Sequence, residues 1–102
     1  MSADAMRHYY RTHVPPIQVL DAADSFFPAL GLPSSAPAEN VRAYRGTLGT
    51  LRIEAVSEGG HYTRIEAVTD QMGESRLDRN VKRFFVVVHR SADPSHRLKA
   101  AY

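Results

Sequence analysis

Arg52-Ile53-Glu54-Ala55-Val56 recurs twelve residues later as Arg64-Ile65-Glu66-Ala67-Val68, and Glu58-Gly59-Gly60 lies between the copies. Two apolar/polar alternations flanking a glycine turn leave little room for anything but an antiparallel hairpin. A three-residue loop of Glu58, Gly59 and Gly60, with a glycine in the left-handed region, sets Ser57 opposite His61. Ile53 then faces Ile65, Leu51 faces Ala67 and Ala55 faces Thr63, giving one largely apolar face. On the reverse, Arg52 meets Glu66, Glu54 meets Arg64 and Val56 meets Tyr62. Such pairs are worth ~0.2–1 kcal/mol each. A two-residue Gly59-Gly60 loop shifts the pairing by one and mixes the faces, so the first register is expected. The duplication is read as two strands meeting the same demands, since a single pair of copies is no repeat array.

Before the hairpin, Val41 and Ala43 alternate with Arg42 and Tyr44, and Gly46-Thr47-Leu48-Gly49 follows. That suggests a third strand over residues 40–45. Pro15-Pro16 fits the first turn of a helix, where a missing N–H costs nothing. Val19, Leu20, Ala23, Phe26, Phe27 and Leu30 recur at helical spacing beyond it. Pro28 should end or kink that helix near Phe27. Residues 33–39 read as a loop.

After the hairpin, Ser75 is placed to cap a second helix, with Asp78 three residues on. Leu77, Val81, Phe84, Phe85 and Val88 form an apolar stripe at helical spacing. The three valines at 86–88 favour a strand over 83–88 instead, but length and the stripe favour helix. Asp93-Pro94 stops it, and residues 95–102 could form a short terminal helix.

These elements predict one α+β domain over residues 15–102: an N-terminal helix, a two- or three-stranded antiparallel β-meander, and a long C-terminal amphipathic helix on one sheet face. Residues 1–14 are expected as a flexible or short helical arm. The expected core is Leu20, Phe27, Leu51, Ile53, Ala55, Ile65, Ala67, Leu77, Val81, Phe84, Phe85 and Val88. No apolar run reaches the ~18 residues a membrane span needs. The polar start does not resemble a secretory signal, which points by default to the cytoplasm.

Chemistry-bearing patterns are sparse. There is no cysteine, which excludes disulfides, thiolate metal sites and a cysteine nucleophile. The five histidines, His8, His13, His61, His89 and His96, show no helical ligand spacing. No serine stands in a G-x-S-x-G elbow. The glycines lack the lysine and helix of a phosphate loop. Glu54 and Glu66 are the carboxylates most suggestive of acid–base work, but the expected register gives each an arginine partner, a poor setting for a general acid near neutral pH. No catalytic residue, metal ligand or cofactor site is therefore assigned.

Thirteen Lys and Arg against eleven Asp and Glu leave a net charge of only +2, small for a general nucleic-acid binder. Arg76, Arg79 and Arg83 share a helix face with Lys82 beside them, but Glu74 and Asp78 interrupt that patch. On the sheet, Val56, Tyr62 and Val68 add apolar area to the face away from the core, and so small a sheet has open edges. Both features suggest self-association through Val56, Tyr62 and Val68. The reading is a small non-enzymatic assembly or interaction module, a homodimer or higher oligomer that can also take a protein partner. The alternatives are a nucleic-acid binder using Arg76, Arg79, Lys82 and Arg83, and a ligand-binding or enzymatic domain with a pocket between sheet and helices.

Overall fold

The structure is a computed structural model, and it describes residues 6–35 and 38–92. Its elements run β1 (Met6–Thr12), α1 (Pro16–Phe26), a 3-10 turn (Pro28–Leu30), β2 (Val41–Gly46), β3 (Gly49–Glu58), β4 (Tyr62–Thr69) and α2 (Arg76–Ala92). The strands form one antiparallel sheet in the order β1-β4-β3-β2, and both helices lie on one face. The α+β class and the packing of the C-terminal helix on the sheet are as the alternation predicts.

Among the described residues the strand count is four, not two or three. Met6–Thr12, expected as a flexible or helical arm, is an edge strand paired along its length with β4. Its signal was the alternation of His8, Tyr10 and Thr12 with Arg7, Tyr9 and Arg11. Read alone it is a polar segment, and only β4 beside it makes the first set inward. The proposed helix over residues 95–102 lies outside the described residues.

The hairpin register also differs from expectation. Ile53 faces Ala67, Ala55 faces Ile65 and Glu58 faces Tyr62, so Gly59, Gly60 and His61 form the loop. Both glycines have positive φ, 67° and 78°, and both therefore belong inside the turn. The shift is two residues along the pairing, which preserves the faces because side chains alternate with period two. It also sets a large residue against a small one in successive core pairs, so the surface under the helices stays level.

Beneath the helices the core holds Val19, Leu20, Ala23 and Phe27 of the α1 segment and Leu77, Val81, Phe84 and Val88 of α2. They pack on Tyr44, Leu51, Ile53, Ala55, Ile65 and Ala67. Phe85, expected in the core, is only partly buried and lies at its margin, where the ring of Tyr10 from the unforeseen strand stacks on it at 5.1 Å. Phe27 is the last donor of α1, to Ala23 O, and Pro28 opens the 3-10 turn that brings Gly31 round with φ 86°. Leu32 then drops into the core. Asp24 ties α1 to β2. Its carboxylate accepts from Tyr44 Oη at 2.7 Å and from Arg42 Nε at 2.9 Å. Burial, then the bond to Asp24, pushes the Tyr44 phenol pKa far up, so it stays a donor at any physiological pH.

Chain after the 3-10 turn runs along β2. Ser34 bridges Tyr44, Arg45 N donates to Pro33 O, and Ser35 N donates to Ala43 O. That covers one edge of the sheet, while among the described residues no strand pairs with the outer edge of β1. The covering requires close approach at Gly46, where a Cβ would stand 2.2 Å from the Gly31 carbonyl oxygen. Gly46→Ala is therefore expected to cost about 1–3 kcal/mol in urea unfolding, the range for overpacking. An unchanged midpoint would show that this edge cover is not closely packed.

Candidate interaction surfaces

The strand pairings divide the sheet residues cleanly. His8, Tyr10, Thr12, Arg42, Tyr44, Leu51, Ile53, Ala55, Thr63, Ile65, Ala67 and Thr69 face the helices. The reverse face has no element over it among the described residues, and its side chains fall into rows across the strands. Arg7, Val68, Arg52 and Ala43 form one row, and Tyr9, Glu66, Glu54 and Val41 the next. Arg11, Arg64 and Val56 follow, then Tyr62 and Glu58. Arginine rows thus alternate with carboxylate rows.

This arrangement corrects the expected charge pairs. Arg52 lies opposite Val68 and Arg64 opposite Val56, which puts Glu54 directly across from Glu66. Like charges so placed repel. The edge strand offsets that. Arg7 forms an ion pair and hydrogen bond with Glu66, and Tyr9 Oη donates to the same carboxylate at 3.2 Å. The bond to Glu66 in turn holds the Arg7 guanidinium pKa above its ordinary value. Farther along, Glu58 accepts from Arg11 at 2.9 Å and lies 3.7 Å from Arg64. The arginine partners of the sheet carboxylates come mainly from β1, the strand that sequence reading missed. Val56, Tyr62 and Val68, the expected association residues, all fall on this face, with Tyr62 47% exposed.

On the helix side, one buried carboxylate organises the junction of β1, β4 and α2. Asp78 is fully buried. Its Oδ1 lies 2.7 Å from His8 Nε2 and accepts from Thr69 Oγ1 at 2.9 Å. Its Oδ2 accepts from Ser75 Oγ at 2.5 Å, while Ser75 Oγ accepts from Asp78 N at 3.0 Å. Ser75 is thus the helix cap its position implied, locked reciprocally to the residue three positions on. Burial alone would raise the Asp78 pKa, but the bonds from His8, Ser75 and Thr69 outweigh it and hold the carboxyl below its usual value. A Ser-His-Asp set is present, yet Ser75 and His8 both contact the carboxylate, so the serine serves as the helix cap and Asp78 as the bridge from helix to strands.

Burial of Asp78 changes the reading of α2. Asp78 was expected to interrupt the cationic patch, but it points into the protein. Arg76, Arg79, Lys82, Arg83 and Arg90 are exposed, and no exposed acid lies between Arg76 and Arg90. None of the five forms an ion pair among the described residues. Beside them, Val86 and Val87 are 48% and 40% exposed. With Phe26, Arg83 and Arg90 they line a shallow concavity of about 290 Å³ between α1 and α2. Of the other histidines, His13 donates to the His61 carbonyl at 3.1 Å and lies against the Tyr62 ring, while His89 Nδ1 meets Tyr10 Oη at 3.2 Å. Among the described residues no three His, Asp or Glu side chains converge as metal ligands, and no described helix is long and apolar enough to cross a membrane.

No protein family, curated protein or solved structure matches the chain.

The Asp78 junction makes stability depend on pH with a definite sign. Because the folded pKa is depressed, its contribution is complete above the unfolded carboxylate value of about 3.9 and is lost as pH falls through the lower folded value. Asp78→Ala removes the acceptor for three groups and is expected to cost about 2–4 kcal/mol at pH 7. The gap between wild type and variant should narrow below pH 4 in chemical denaturation. A gap that is constant from pH 7 to pH 2 would contradict the assignment.

Proposed function

We propose that this chain is a non-enzymatic, self-associating interaction module, and that a second copy of the chain seats on the outer face of its sheet. The observation that carries the reading is the alternation of charge across that face. If a second copy lies over the first with strands parallel, arginine rows meet arginine rows. If it is turned end for end about a two-fold axis lying across the strands, between the Glu66 row and the Arg64 row, each row meets its opposite. Glu66 then lies over Arg64 of the second copy, Arg52 over Glu58, and Val68 over Tyr62. An isologous contact is the commonest symmetry for a homo-oligomer, and here charge selects one arrangement of it.

Size sets the expected strength. Four strands about 4.8 Å apart and about seven residues long present a patch of roughly 19 by 23 Å. That is a small interface, at the low end of what specific association uses, so dissociation in the micromolar range is expected. Most of the facing charges are partly solvated, so they contribute to register more than to affinity.

Sedimentation at about 100 µM and low salt should show a species of twice 11.4 kDa. Arg52→Glu should shift it toward monomer, and Arg52→Glu combined with Glu58→Arg should restore it. A single 11.4 kDa species at that concentration would overturn the proposal, as would a dimer indifferent to both changes.

A further inference from the structure

We propose that the outward face of α2 binds single-stranded nucleic acid, with its arginines on phosphates and its exposed valines under the bases. Two surfaces of this protein are rich in arginine, and they differ in one respect. On the sheet, Arg7 and Arg11 are ion-paired with glutamates, Arg64 lies beside Glu58, and three carboxylates share the face. On α2 five exposed cations have no ion pair among the described residues, because the sole acid of the helix is inside the protein, committed to His8, Thr69 and Ser75; the exposed Glu74 lies just before the helix, at its Arg76 end. Arg45 and Arg52 of the sheet are also without an ion pair among the described residues, but they share their face with the glutamates, so the continuous run of uncompensated charge that a polyanion can follow is on α2.

Geometry narrows the ligand. Residues 76, 79, 83 and 90 follow one side of the helix at steps of three, four and seven, with Lys82 flanking. At about 1.5 Å per residue the row is about 21 Å long. Arginine dominates it, and the planar guanidinium suits bidentate contact with phosphate oxygens. Toward the C-terminal end, Val86 and Val87 sit between Arg83 and Arg90, with Phe26 of α1 closing the concavity. A duplex hides the faces of its bases and has nothing to offer such a floor. Splayed bases of a single strand do: single-strand binders combine a cationic track with aromatic side chains or guanidinium planes on which bases rest, and here Phe26, Arg83 and Arg90 line the concavity beside the two valines. A lipid surface fits less well, because the large apolar residues of α2 are already inside the core. A back-to-back sheet dimer leaves both α2 faces outward, so the inference stands whether or not that dimer forms.

The test uses a fluorescent 20-nucleotide single strand, the corresponding duplex, and the full chain at 50 mM salt. Single-strand binding is expected, with log affinity falling against log salt at a slope of about −3, as about four phosphates require. Arg79→Glu with Arg83→Glu should weaken it at least tenfold, with the circular dichroism spectrum unchanged because both side chains are exposed. Val86→Ser should reduce the preference for single strand over duplex. Arg45→Glu, on the exposed sheet surface and outside the proposed dimer pairs, should leave binding within twofold. The inference is overturned by no binding at 50 mM salt, by binding indifferent to the α2 reversal, by duplex binding as tight as single-strand binding, or by loss of binding in Arg45→Glu.

Discussion

A buried carboxylate is costly to place inside a protein unless donors surround it. Asp78 has three side-chain partners from three places: His8 on β1, Thr69 at the end of β4 and Ser75 at the cap of α2. Those contacts fix the edge strand against α2, where the last strand releases the chain, and where the final helix begins. Each partner would be less well satisfied without the others, so the junction specifies geometry as much as it adds stability. It also settles the charge of the surface. With Asp78 turned inward, α2 presents cations to solvent without an acid among them.

Partition of charge between two surfaces follows from the same strand. β1 brings Arg7 and Arg11 to the carboxylates of the sheet and His8 to the carboxylate of the core. Without it, Glu54 and Glu66 would face one another with less to offset their repulsion. The outer face is therefore a compensated mosaic suited to a surface of complementary pattern. The face of α2 is uncompensated and suited to a polyanion. The proposed self-association and the proposed nucleic-acid binding thus draw on different parts of one small domain.

Much of this was legible in the residues. The period-two alternation and glycine turn located the β3–β4 hairpin and its faces, and the apolar stripes located both helices and most of the core. What was not legible has physical causes. The register moved by two residues, a change that alternation cannot detect because it leaves every face intact. Local pairing favoured Arg52 with Glu66, but Glu66 finds Arg7 instead, a partner 59 positions away. Edge strand β1 carries polar residues inward, His8 and Thr12, that are intelligible only with Asp78 and β4 beside them. Asp78 itself reads as a surface acid in a helical first turn, where acids are expected, and only its three donors make burial tolerable.

Site-resolved NMR titration of the Asp78 carboxyl carbon tests the central claim most directly. Held by its three donors, this buried group should titrate with a midpoint below the ordinary aspartate value of about 3.9. It should do so in step with chemical-shift changes at His8, Thr69 and Ser75. A midpoint at or above that value, or a titration that those residues do not sense, would contradict the account.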